Sequence, residues 1–158
     1  ESKEALTKYP NDRVVKTVVA SVHSDLGHYK EAEALLKTLL DGKGDRETWI
    51  SIAQVHEKAK NFNEMGKAID EATILATTVP MQTAFFSMEA IVKAPVVLEK
   101  GNPNCASDAF VAALLLSAAV EGALANVRIN LPGIPDASLA EGFRSDTALA
   151  AAKTAEAH

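Results

Sequence analysis

The sequence predicts an all-α protein, and three observations carry that reading. Alanine supplies 28 of 158 residues while aromatics reach only 5%, a bias toward closely packed helices rather than a sandwich or barrel. Residues 12–76 repeat a helix–turn–helix pattern at a spacing of 33. Long apolar-periodic segments follow, bounded by Asn, Asp, Gly and Pro. Together they describe two stacked helix–turn–helix repeats continuing through a shared helix into an alanine-rich helical bundle fragment.

The repeat defines the first four helices. A shift of 33 lays Tyr29-Lys30-Glu31-Ala32 on Phe62-Asn63-Glu64-Met65, Leu36 on Ile69 and Leu39 on Ala72. It also lays Val19-Ala20 on Ile52-Ala53 and His23 on His56. Helices are expected over 12–26, 29–40, 46–59 and 62–76. Gly27-His28, residues 41–45 and Lys60-Asn61 are the breaks. Asp45 is placed to cap the third helix, and Asn61 with Glu64 forms a capping box for the fourth. A hairpin unit with a period near 34 suits a stacked helical repeat, in which each unit buries an apolar face on the next.

Beyond residue 78 the composition changes. Residues 1–78 hold 24 charged residues and 9 alanines; residues 79–158 hold 13 and 19. The boundary is therefore set at 78/79, with a shared helix over 62–78. Pro80 is read as opening a helix to about residue 100, kinked near its end by Pro95. Gly101-Asn102-Pro103-Asn104 is a turn, and Asn104 or Ser107 caps a helix over 106–128. Leu131 to Asp136 is a rigid loop, and Asp136 caps a last helix over 137–155.

Several function classes are excluded. A net charge of −5 leaves nothing to neutralise phosphates, so no nucleic-acid partner is expected. The single cysteine, Cys105, permits neither an internal disulfide nor a multi-cysteine zinc site. The first residues carry no signal-peptide pattern, and the apolar run from Ala109 to Val120 is shorter than the roughly 20 residues a bilayer requires. No membrane association and a cytoplasmic location are expected.

Two family resemblances follow. Trp49, Ile52, Ala53 and His56, with Met65, Ile69, Ala72, Ala32, Leu36 and Leu39, resemble the tetratricopeptide repeat. Lys16, His23 and His56 depart from that family's aromatic positions. The resemblance implies a peptide-binding groove, with Lys16, His23, Trp49 and His56 as its candidates. Val79-Pro80-Met81, the stretch from Gly101 to Ala109 and that from Asn126 to Ile134 resemble the C-terminal part of the formimidoyltetrahydrofolate cyclodeaminase and methenyltetrahydrofolate cyclohydrolase family. That resemblance covers 68–158 and implies a helical dimer with a folate site. Its candidates are Gly101, Asn102, Asn104, Ser107, Asp108 and Asn126.

Cyclodeaminase chemistry needs proton transfer and polar groups on the pterin, and Asp108 is the candidate able to move a proton near neutral pH. The plainer reading gives Asn102 and Asn104 to a turn, and Ser107 and Asp108 to the positive end of the next helix. Cys105 has no histidine near it in sequence to activate it. His23 and His56 lack a clear third ligand, so no metal is expected; His28 and His158 add nothing. The family's glycine-rich front segment, Pro-x-Pro-Gly-Gly-Gly, does not occur here. The chain therefore reads as a hybrid, natural or engineered, of repeats and a cyclodeaminase fragment. On that reading it is a non-catalytic scaffold without a cofactor. It would bind a peptide or protein through the repeats and form a homo-oligomer through the 106–128 helix. The alternative is a folate-dependent cyclodeaminase or cyclohydrolase acting on a tetrahydrofolate derivative.

Overall fold

The computed structural model describes residues 2–40 and 45–156, which form eight α-helices and no strand. The chain divides into two compact units, 1–75 and 76–158. Of the break placed at 41–45, residues 41–44 lie outside the described residues.

The first unit opens with a short helix, α1 (Ser2–Lys8), followed by α2 (Arg13–Asp25), α3 (Tyr29–Lys37) and α4 (Arg46–Lys58). Aspartates cap two of these: Asp45 as the sequence predicts, and Asp12, which the sequence reading placed inside the helix. Asp12 accepts from the Val15 N–H at 3.0 Å, and Asp45 from the Thr48 N–H at 2.8 Å. The two hairpins turn through one motif, repeated 33 residues apart. His28 N–H donates to the His23 carbonyl and Asn61 N–H to the His56 carbonyl, each at 2.8 Å. The residues between, Gly27 and Lys60, are the left-handed ones, with φ of 79° and 56°. The core of this unit gathers Ala20, Ala32, Leu36, Leu39, Ile52, Ala53, Val55 and Ala68.

One expected core position is not there. Leu36 is buried, but its counterpart Ile69 is 47% exposed. Ala72, the counterpart of Leu39, is buried as expected, and the neighbouring Ala68 takes the inward place that Ile69 leaves.

α5 (Phe62–Ile91) is a single 30-residue helix that passes from the first unit into the second. Pro80 lies inside it and does not open a new helix. A proline there has no N–H to offer the carbonyl four residues back, that of Ala76. The Asn130 side-chain amide donates to that carbonyl at 2.9 Å, so the helix continues across the proline with the carbonyl satisfied. Pro95 likewise kinks no last turn. It sits in the first turn of α6 (Ala94–Lys100), where its missing N–H costs nothing.

The second unit continues through α7 (Ala106–Asn130) to α8 (Ala137–Glu156), which Asp136 caps by accepting the Leu139 N–H at 2.8 Å. Val120, Leu124 and Val127 of α7 are buried in this unit, as are Met81, Ala84, Met88 and Ile91 of α5 and Ala140, Phe143 and Ala150 of α8. Phe110, Val111, Leu114 and Leu115 on the N-terminal half of α7 are exposed. The stretches 62–100 and 103–133 are long and apolar enough to cross a membrane by length and composition alone. The shorter run weighed in the sequence is thus part of a longer apolar helix. Core helices of bundles share that composition.

Candidate functional site

The turn between α6 and α7 is built around Gly101. Its N–H donates to the Val97 carbonyl at 2.9 Å, and a Cβ at this position would come within 2.2 Å of that same oxygen. No other residue fits without moving the backbone. Asn102 then accepts the Asn104 N–H on its side-chain oxygen at 3.0 Å and the Cys105 N–H on its carbonyl at 2.9 Å, which folds Pro103–Cys105 into a 3-10 turn.

Helix α7 follows directly. Neither Asn104 nor Ser107 caps it, contrary to the sequence reading: Cys105 holds the cap position without a side-chain bond. The reason is local, since Asn102 has already closed the turn and the 3-10 segment runs straight into the helix. Asn104, Cys105, Ser107 and Asp108 are all exposed, with Asp108 in the first turn where the helix dipole favours a carboxylate. The structure gathers Gly101, Asn102, Asn104, Ser107 and Asp108 at one end of α7. Asn126 lies far along the same helix, its amide donating to the Gly122 carbonyl at 3.2 Å.

A feature the sequence reading missed lies between α7 and α8. Ser117, Glu121, Leu124 and Arg128 recur at four, three and four residues and form one stripe on α7; Ala151, Thr154 and Ala155 face them from α8. The two alanines are too small to fill the space opposite Leu124. A cleft of about 670 Å³ results, also lined by Val120 and within the size range of small-molecule sites. The heptad-like spacing was the available signal, but its meaning required the opposing α8 residues. A second cleft, about 480 Å³, is lined by Met88, Glu89, Val92, Pro95, Lys153 and Glu156.

The residues proposed for a peptide groove sit in the first unit. Trp49 packs partly buried against its apolar core. His56 is buried, with its Nε2 3.5 Å from Glu33. Lys16 is half-buried, and so is His23, whose Nδ1 is buried without a hydrogen-bond partner. Trp49 and His56 thus point into packing rather than lining an open surface. Among the described residues, no three His, Cys, Asp or Glu side chains converge as metal ligands.

The fold and its clefts define a class: an all-helical bundle with a ligand-sized opening between its last two long helices. The chain belongs to the formiminotransferase-cyclodeaminase family, whose model matches residues 16–148. It is 34% identical over 137 residues to a methenyltetrahydrofolate cyclohydrolase of Methylorubrum extorquens, covering 83% of this chain and 66% of that protein, slightly under two thirds of its length. No solved structure matches the chain.

These matches correct the reading of the front half. The family match begins inside α2 and runs without a break through all four hairpin helices, so nothing supports a tetratricopeptide half or a hybrid. The spacing of 33 has a simpler origin: α2 and α4 are each 13 residues long and lead into the same turn, so equivalent positions around those turns recur at that distance. The non-catalytic scaffold is overturned with it, because the comparisons favour the folate enzyme the sequence reading held as its alternative. The family match holds in a chain that carries no Pro-x-Pro-Gly-Gly-Gly segment.

Proposed function

We propose that this protein acts on the one-carbon unit of a tetrahydrofolate, opening a methenyl bridge with water. The observation that carries the reading is the continuous family match over 16–148, together with its methenyltetrahydrofolate cyclohydrolase relative. In the reaction, water adds to the cationic methenyl carbon, one carbon–nitrogen bond breaks, and a formyl group and a proton result. The protein must accept the proton lost by the attacking water and shield the cation from other nucleophiles.

Asp108 is the candidate for that proton, exposed at the start of α7. The turn made by Gly101 and Asn102 positions it, with Asn104 and Ser107 beside it as polar contacts for the pterin. Asn126, remote along α7, is left to the helix. A tetrahydrofolate derivative is thus the substrate, and a water-soluble one, which fits a cytoplasmic enzyme. The exposed face of α7 around Phe110, Val111, Leu114 and Leu115 supports a homo-oligomer as the working form.

Loss of methenyltetrahydrofolate absorbance, followed against the buffer rate, tests the reading. Catalysed loss is expected, and Asp108→Asn should lower kcat on the order of a hundredfold. A rate equal to that of buffer overturns the function. An unchanged rate in the variant overturns the assignment of Asp108.

A further inference from the structure

We infer that the cleft between α2 and α4 is a binding site for a small neutral primary amide with a short apolar tail. The site lies in the first unit, and the inference does not rest on the folate chemistry proposed above. Thr17, Ser21 and Ser24 recur at four and three residues on one face of α2, and Ser51 lines the same cleft from α4. These small side chains leave about 140 Å³ over a floor of buried Ala20, Leu36 and Val55. Ser24 is 4% exposed, and its Oγ is buried without a hydrogen-bond partner among the described residues. A buried hydroxyl in that state destabilises the fold until something bonds it.

The hydroxyls define the ligand. Thr17 Oγ1 donates to the Arg13 carbonyl and Ser51 Oγ to the Glu47 carbonyl, each at 2.9 Å. Both protons are spent on their own helices, so these two oxygens offer only lone pairs to the cleft. Ser24 keeps its proton to give. One carbonyl for Ser24 and two N–H groups for Thr17 and Ser51 answer the set, and a primary amide carries all three on one carbon. Neither sign of charge fits. An anion would meet the lone pairs of Thr17 and Ser51, while Lys58 at the edge of the cleft is already paired with Asp25 at 2.5 Å. A cation would meet that lysine. Water satisfies the hydroxyls but not the apolar floor. A cavity of about 150 Å³ holds a benzene ring, so an amide with a short carbon tail fills this one and meets both surfaces.

The probe is propionamide. It is compared with butanone, which has a methyl in place of the amide nitrogen, and with propionate, which has a charged oxygen there. Each is titrated into the isotope-labelled whole chain, and the backbone amide shifts of α2 and α4 are followed by NMR. Propionamide should shift them saturably, with a Kd on the order of millimolar, and each analogue should bind about tenfold more weakly. Thr17→Val removes an acceptor at constant shape and should reduce the preference for propionamide over butanone. Ser24→Ala should weaken propionamide about tenfold without lowering Tm, because the hydroxyl it removes has no partner in the free protein. Equal binding of propionamide and butanone marks an apolar hole, and tighter binding of propionate marks an anion site. No saturable shift in the folded parent marks a cleft that holds water alone. Each of these overturns the proposal, as does a folded Ser24→Ala variant that binds propionamide like the parent. None of them bears on methenyltetrahydrofolate turnover, which is assayed separately.

Discussion

The side-chain amide of Asn130 donates a hydrogen bond of 2.9 Å to the backbone carbonyl of Ala76, 54 residues earlier in the chain. That carbonyl is the one left without a helical donor by Pro80. A proline inside α5 and an asparagine at the end of α7 are therefore two halves of one arrangement. The proline frees an acceptor, and the asparagine both satisfies it and ties the two helices together.

Removing the amide should expose the dependence. Asn130→Ala leaves a part-buried carbonyl without its donor, at a cost of about 1–3 kcal/mol. Pro80→Ala restores the backbone N–H, so the same asparagine change should cost clearly less in that background. Urea unfolding of the four proteins of the cycle measures the coupling. Equal costs in both backgrounds would show that the two residues act independently.

The matched turns make a second prediction. Gly27 and Lys60 hold equivalent left-handed positions, but only glycine adopts that conformation without a Cβ penalty. Lys60→Gly should stabilise the protein by about 1 kcal/mol, seen as a higher Tm. Gly27→Ala should lower it, although a Cβ there meets nothing within 4 Å, because the strain lies in the backbone.

Asp45 predicts a pH dependence. Burial raises the pKa of its carboxyl, but hydrogen bonds from Arg13 and Thr48 and the Arg13 charge outweigh that, and the net shift is downward. Arg13 pairs with Asp45 Oδ2 and also donates to the Thr48 hydroxyl at 2.7 Å. A depressed native pKa means that the unfolded chain takes up the proton first. The contribution is then complete above the unfolded value of about 3.9 and disappears as pH falls through the lower native one. Asp45→Ala should cost about 1 kcal/mol at neutral pH, and the gap to the parent should narrow below about pH 4. A gap constant down to pH 2 would remove the carboxylate from the explanation.

Assembly is the fourth. Phe110, Val111, Leu114 and Leu115 are each at least half exposed on a single helix. Light scattering at micromolar concentration should give a multiple of 16.7 kDa. Leu115→Glu should return the protein to monomer by placing a charge in the contact. A parent that is monomeric at that concentration contradicts the proposed oligomer.

Local chemistry made much of the fold legible. Asp45 and Asp136 precede helices that they cap in the structure, and Gly27 marks a real left-handed turn. These signals act within three or four residues, so the sequence contains all of their physics. The capping of α7 was misread because Asn102 competes for the same short segment and closes its own turn first.

The sequence by itself determined an all-helical chain, the places where most of its helices start, and the turn at Gly101-Asn102-Pro103-Asn104. Tertiary structure decided the rest. Pro80 reads as a helix boundary until Asn130, distant in sequence, supplies the donor for Ala76. Ile69 reads as core by analogy with Leu36, yet packing selects the neighbouring Ala68 and leaves Ile69 exposed. The α7–α8 cleft was invisible for the same reason. Glu121 and Arg128 are ordinary charges on a helix until Ala151 and Ala155 of another helix prove too small to cover the space beside them. A cap is a contact between neighbours in the chain, whereas a cleft is set by the sizes of residues that only folding brings face to face.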